Sequence, residues 1–392
     1  MKSGVFITDG HWRKSLAAVR ALGREGIGVT VGESTRLATA AFSRYSNRTV
    51  VYPSPLLNPL DCIDFLQRHI ARHDYRMVLP MEYETLSLMA QNHDAFSRYA
   101  YLPVVSHATL HRAQDKGEML RLADHLGIPT PRTWHIDDLS RIHVLKDRFN
   151  YPVVIKPRKA AGAMGVCYPE TAAELETQYL SVHRRFPYPM IQEYIPREGP
   201  GYGASFLFDE KGRVKASFVH KRLREYPVTG GASTLRESVR YDDIRDMAQS
   251  LLQALGWFGV AMVEFKVDPR DGTPKLMEIN PRFWGSLALA VTAGVNFPYL
   301  LYRMSCGEDF SPVERYPVGV RCRWLLPGDM LHFIYNPERR SLIPRFFRLF
   351  EKDTAYDILS ATDPLPALAR VLTPVTFLYD PDMQERLKRR KE

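Results

Sequence analysis

The segment Val260-Ala-Met-Val-Glu-Phe-Lys-Val-Asp268 and its continuation Lys275-Leu-Met-Glu-Ile-Asn-Pro-Arg282 leave this chain few folds to adopt. Successive side chains of a strand point to opposite faces. Ala261, Val263, Phe265 and Val267 therefore make one wholly apolar face that a core must cover, while Glu264 and Lys266 point the other way. Pro269-Arg-Asp-Gly-Thr-Pro274 reads as the turn to a second strand, on which Glu278 and Asn280 share a face opposite Met277 and Ile279. With the turn centred near Asp271, Glu264 lies across from Glu278. Directly opposed positions put Cβ atoms about 4.5–5.5 Å apart, where like charges destabilise a sheet. Such a pair needs a cation or a shared proton. With Asn280 beside it the donor set is all oxygen, which suits Mg²⁺ that keeps waters and substrate phosphates, with Mn²⁺ as the replacement ion. The alternative, two carboxylates solvated on an open face, leaves Asn280, Pro281 and Arg282 without a task.

The first hundred residues alternate strand and helix. Val5-Phe6-Ile7 is a short apolar run, Leu16, Val19 and Leu22 recur at helical spacing, and Gly26 and Gly28 bracket the turn into Val29-Thr30-Val31. Ile63, Leu66 and Ile70 line a second helix before Met77-Val78-Leu79-Pro80. This is the pattern of a parallel sheet with covering helices, whose ligands lie beyond the C-terminal strand ends. Thr8-Asp9-Gly10 and the Pro80–Thr85 segment fall at such ends. Farther on, a helix over 115–127 carries the stripe Met119, Leu122, Leu126 and closes at Gly127. Strands are expected at 151–157, 166–168 and 190–195, a hairpin over 202–221 turning at Asp209–Gly212, and an amphipathic helix from Ile244 to Leu255 closed by Gly256. The last eighty residues are weakly patterned and read as helices and loops packed on the main body.

A chain of 392 residues has room for two or three domains. Its apolar run lengths stay short of the ~18 residues of a membrane helix, and its N-terminus lacks a signal-peptide pattern, so the expected compartment is the cytoplasm, with no membrane partner. Cys62, Cys167, Cys306 and Cys322 are scattered and read as reduced, mostly buried thiols. The net charge of +9 suits phosphate-bearing ligands. The one dense basic cluster, Arg386 to Lys391, reads as a solvated end, and no aromatic-basic interleaving points to nucleic acid.

Lys156 ends an apolar strand and is followed by the glycine loop Ala160-Ala-Gly-Ala-Met-Gly-Val166. A lysine there can hold phosphates as a point charge, and such a loop can close over them with backbone N–H groups. Neither GxxxxGK[ST] nor GxGxxG is present. Taken in order, Asp115-Lys116, Pro152-Val-Val-Ile-Lys-Pro157, the glycine loop, Ile191-Gln-Glu-Tyr-Ile195, Val263-Glu-Phe265 and Glu278-Ile-Asn-Pro-Arg282 resemble the ATP-grasp superfamily, more closely its carboligase branch, which is similar to the carbamoyl phosphate synthetase large chain. The resemblance spans about residues 1–310.

That resemblance implies an α/β and α+β architecture. A Rossmann-like pre-ATP-grasp domain with a parallel sheet would occupy 1–110 and the ATP-grasp domain 111–310, with a small lid subdomain over about 115–195 and a large subdomain over about 196–310. Residues 311–392 would be the extension. By resemblance, Lys116 and Lys156 contact ATP phosphates beneath the loop of Gly162 and Gly165. The backbones of Glu193 and Ile195 read the adenine edge with Gln192 close by. Glu264, Glu278 and Asn280 hold Mg²⁺, and Arg282 stabilises charge on the transferring phosphate. The loop carries Ala163 and Met164 where relatives often have serine and a basic residue, which puts its contacts on the backbone. The basic segment His220 to Arg236, with Arg222, Arg224, Gly230 and Gly231, is the expected clamp for an acid substrate; an exposed basic hairpin end is the plainer reading. Asp9, Glu82 and Glu84 would furnish part of the acceptor site. The expected chemistry is ATP-dependent activation of a carboxylate as an acyl phosphate and transfer to an amine, both small molecules, by a chain for which a homodimer is allowed. The rivals are a carboxyphosphate- or carbamoyl-forming enzyme and a nucleotide-binding regulator without catalysis.

Overall fold

The computed structural model describes residues 3–159, 164–228, 230–349, 351–378 and 380–391. Four strands open the chain: β1 (Gly4–Ile7), β2 (Val29–Glu33), β3 (Ser46–Val51) and β4 (Tyr75–Leu79). They pair in the order β3-β2-β1-β4, every pair parallel, as the strand-helix alternation predicts. Helix Arg13–Arg24 covers one side; its Leu16, Val19 and Leu22 are fully buried.

A three-stranded antiparallel sheet of β5 (Thr133–Trp134), β6 (Val153–Lys156) and β7 (Met190–Glu193) follows, in the order β5-β7-β6. The expected strand at 166–168 reduces to one bridge between Cys167 and Ile155. Ile155, Ile191, Leu175 and Tyr179 make a small core of its own. The preceding helix runs Lys116–His125, and Asp115 caps it by accepting from the Gly117 and Glu118 amides.

The remaining strands are β8 (Gly201–Phe208), β9 (Val214–Tyr226), β10 (Ala232–Ser238), β11 (Gly259–Val267), β12 (Pro274–Asn280), β13 (Arg321–Arg323) and β14 (Thr354–Tyr356). They form one sheet in the order β12-β11-β8-β9-β10-β13-β14. One face takes the helix Asp242–Ala254, whose Ile244, Ala248, Leu251 and Leu252 pack with Ala261, Val263 and Phe265. The other face meets the N-terminal sheet and its helix: Met262, Leu207 and Phe218 share a core with Leu16 and Met77, which Trp284 joins from the segment after β12.

The last eighty residues correct the reading of helices and loops alone. β13 and β14 extend the large sheet, and the C-terminal helix Pro381–Lys391 reaches back to the first one. There Arg386 pairs with Glu33 at 2.9 Å and with Asp382 at 2.7 Å, so this member of the basic cluster is packed rather than solvated. The four cysteines are free, Cys62 and Cys322 buried and Cys306 exposed. Among the described residues no helix is long and apolar enough to cross a membrane.

Candidate active site

The register places Glu264 directly opposite Glu278, with Asn280 two positions along β12 facing Met262. Asn280 Nδ2 donates to Glu264 Oε1 at 2.9 Å. Cations surround the pair. Arg222 reaches Glu264 from β9, its stem lying across Gly201, where an added Cβ would stand 3.1 Å from Arg222 Cδ. Lys116 Nζ lies 3.8 Å from Glu278 Oε2. Lys156 ends β6 and feels both carboxylates.

The two acids titrate apart. Burial, with Glu278 opposite, pushes Glu264 up despite its arginine; burial also works against Glu278, but Lys116, Lys156, Arg222 and Arg282 hold it below the usual carboxylate range. Burial and Lys116 together pull Lys156 down to about 8. The face thus holds two close carboxylates that demand positive charge, and an amide oxygen next to them. That donor chemistry fits a hard divalent ion. Among the described residues no trio of His, Cys, Asp or Glu gathers, so such an ion would rest on two carboxylates, one amide and its own waters.

Around this face the chain brings several expected residues together. Asp115, besides capping its helix, takes Arg158 bidentately at 3.0 and 2.6 Å, which locks Lys116 against the end of β6. Gly165 has φ +67°, and a Cβ there would meet the Phe186 ring at 2.8 Å, so glycine is required. Gly162 lies outside the described residues. Gln192 is buried and donates to Thr133 Oγ1 at 2.8 Å. The Glu193 amide donates to Arg132 O, and its carboxylate is held by Lys275 at 2.6 Å and Arg270 at 3.2 Å. Ile195 O accepts from Lys266 Nζ at 3.4 Å.

Other residues go elsewhere. Arg224 is buried in a second cluster, where it and Arg323 share Asp329 at 2.8 and 2.6 Å. The basic segment is two paired strands, β9 and β10, with Gly230 and Gly231 in the connection; Arg222 Nη1 contacts Gly231 O at 3.5 Å. Asp9 is buried and accepts from Tyr52, Thr85 and the Met81 and Glu82 amides, a structural task. Glu84 sits in the first turn of helix Tyr83–Gln91, pushed up by burial.

Arg282 makes a contact that sequence reasoning missed. Its Nε lies 3.4 Å from Glu82, which also pairs with Lys14 at 2.9 Å. Although burial opposes it, Arg282 and Lys14 hold Glu82 below its ordinary value. The available signal was the basic pair Arg13-Lys14 opening a helix just past the first strand.

A family model described as ATP-grasp in the biosynthetic pathway with Ter operon matches residues 186–325. The N-terminal section of the carbamoyl phosphate synthase large chain from Methanopyrus kandleri is 25% identical over 227 residues, 54% of this chain and 39% of that one, so the match spans well under half of the relative. Two solved structures share the fold. The biotin carboxylase domain of Hydrogenobacter thermophilus 2-oxoglutarate carboxylase, in complex with MgADP, ADP and bicarbonate, gives a TM-score of 0.64 at 14% identity over 82% of this chain and 74% of that one. The L-amino acid ligase of Bacillus licheniformis gives 0.60 at 17% identity over 78% and 75%.

Proposed function

Because the chain belongs to the ATP-grasp superfamily, we propose that it is a ligase that activates a carboxylate with ATP and passes the acyl group to an amine. One observation carries this reading: Glu264 stands opposite Glu278 on a face ringed by Lys116, Lys156, Arg222 and Arg282. Two acids among four cations form a phosphoryl-transfer surface, where positioning and charge neutralisation do most of the catalysis. The neighbour solved with MgADP supports the nucleotide and the ion.

Lys116 and Lys156 would hold the ATP phosphates, and Gly165 would let the loop backbone close over them. The strand end at Gln192, Glu193 and Ile195 would take the adenine. Glu264, Glu278 and Asn280 would bind Mg²⁺, which supplies charge neutralisation between phosphate oxygens when bound. A carboxylate oxygen of the acid attacks the γ-phosphorus and the bond to the β-phosphate oxygen breaks, releasing ADP. Arg282 would steady the equatorial oxygens with its fork. The amine then attacks the acyl carbon, the bond to phosphate oxygen breaks, the nitrogen loses a proton, and phosphate leaves. Arg222, which pairs with Glu264 here, would hold the acid. Gly230 and Gly231 would shape the connection above it, and Glu84 would line the acceptor side.

The test is an ATP-dependent phosphate-release screen over pairs of amino acids and small acids, with hydroxylamine as a trap. The expected result is ADP, phosphate and a hydroxamate only when a suitable acid is present. AMP with pyrophosphate would replace the acyl phosphate by an adenylate and overturn the reading. Turnover with bicarbonate alone as the acid would move the chain to the carboxyphosphate-forming alternative.

A further inference from the structure

We infer that the Arg13 guanidinium, set against Trp324 and Gly285 where helix Arg13–Arg24 meets the segment after Arg282, binds a substrate carboxylate other than the one activated. The assignment to a substrate rests on the ligase reading; the anion site itself does not.

The strand order β3-β2-β1-β4 reverses direction between β1 and β4. Ligands of open parallel sheets bind at such a reversal, outside the C-terminal strand ends. Here β1 runs out towards helix Arg13–Arg24 and β4 towards Glu82. Arg13 opens that helix, with its guanidinium 4.1 Å from the centre of the Trp324 ring and its side chain 11% exposed. Its one hydrogen-bond acceptor among the described residues is Asp357 Oδ2, at a long 3.4 Å. Asp357 is already engaged by Arg236, whose Nη1 stands at 2.7 Å in a fully buried pair. Two guanidiniums therefore share one carboxylate, and a surplus positive charge is left in a nearly enclosed place. Most of the five N–H donors of Arg13 are unmatched. The Trp324 Nε1 and Arg236 Nε donors are buried and likewise without an acceptor.

A planar fork backed by an aromatic face and short of acceptors is built for a carboxylate. Gly285 closes the geometry: a Cβ there would lie 2.7 Å from Arg13 Nη2, so the guanidinium rests against bare backbone. Arg282 is three residues earlier, within about 11 Å along the chain, and Lys14 next to Arg13 shares Glu82 with it. One small molecule can span that gap. Its reacting carboxylate belongs near Arg282 and the phosphates, so the group at Arg13 is a second one. It is either the far carboxylate of a dicarboxylic donor or the α-carboxylate of an amino-acid acceptor.

The first arm of the test is malonate titrated calorimetrically into the full ATP-free chain. Wild type is expected to bind, Arg13→Gln to bind at least tenfold more weakly, and Arg13→Lys to fall between, keeping charge but losing the fork. No binding by wild type, or equal binding by wild type and Arg13→Gln, overturns the site whatever the fate of the ligase reading. If Arg13→Gln does not fold, as judged by its circular dichroism, equal binding by Arg13→Lys and wild type overturns it instead. The second arm compares phosphate release with dicarboxylic acids against their monoamides, and with amino acids against their amides. Wild type should prefer the acid in one of the two series by tenfold or more, which identifies the source, and Arg13→Gln should lose that preference while its KM for ATP stays unchanged. A preference retained by Arg13→Gln overturns the substrate assignment. If no pair releases phosphate, the ligase reading falls and the malonate result still judges the site.

Discussion

At the residue scale, the two acids opposed across β11 and β12 have unequal surroundings. Glu278 is the one held ionised by Lys116, Lys156 and Arg282 against the cost of burial. Glu278→Gln should abolish turnover and lower the melting temperature of the ATP-free protein, because losing the carboxylate that Lys116, Lys156, Arg222 and Arg282 hold ionised outweighs the relief of the like-charged pair. Steady-state rates and thermal melts check both halves. Arg282→Lys should lower kcat far more than it raises the KM for ATP, since only the guanidinium can engage two phosphate oxygens at once and that contact strengthens in the transition state. A change confined to KM would assign Arg282 to ground-state binding. Lys156, pulled to about 8 by burial and Lys116, sets a pH limit. Its charge is present below that value and lost above it, so kcat/KM for ATP should fall as pH rises past 8. In Lys156→Arg that fall should vanish, because arginine keeps its proton. The stability sign is opposite. An unfolded lysine binds its proton up to its ordinary value near 10.5, so between about 8 and 10.5 the unfolded state holds more protons and the fold gains stability with rising pH.

At the element scale, β13 and β14 are held by charge where most strands are held by apolar stripes. Arg236 and Asp357 are both fully buried, and they join β10 to the segment just past β14. Asp357→Ala should cost about 3–5 kcal/mol, the penalty of a buried cation stripped of its partner; the urea midpoint measures it, and a loss under about 1 kcal/mol would contradict the pairing. This also explains what could be read in advance. The hairpin of β11 and β12, the helix Asp242–Ala254 and the opening parallel strands announce themselves through period, turn residues and apolar faces, and the Glu264–Glu278 register followed from strand parity with a turn centred near Asp271. β13 and β14 are three residues each, Arg-Cys-Arg and Thr-Ala-Tyr, too short for any period and without an apolar face. Arg222 and Arg224 looked equivalent in the sequence, two residues apart on one strand. Register irregularities against β10 and the approach of Asp329 separate them, one at the acidic pair and the other in a closed cluster. Arg13 was illegible because its partners, Trp324 and Asp357, lie more than three hundred residues away in the chain.

At the scale of the whole molecule, the small three-stranded unit carrying Lys156 stands over the large sheet carrying the acids, so a nucleotide between them would engage both. Mg-ATP at a hundred times its Kd should then add about 2.7 kcal/mol of stability, seen as a rise in melting temperature that scales with ligand concentration; its absence at millimolar Mg-ATP would count against the nucleotide. The C-terminal helix bears on a different matter, the order in which the chain is made. Glu33, on an inner strand of the first sheet, is 2% exposed and finds its arginine at position 386. Some 350 residues leave the ribosome between the acid and its counter-charge. Domains generally fold as they emerge, yet Glu33, which accepts from the His11 and Ser34 amides, meets its cation only once Arg386 is made. A nascent chain stalled before Arg386 should therefore display a loosened first sheet that proteases cut, and synthesis of helix Pro381–Lys391 should close it.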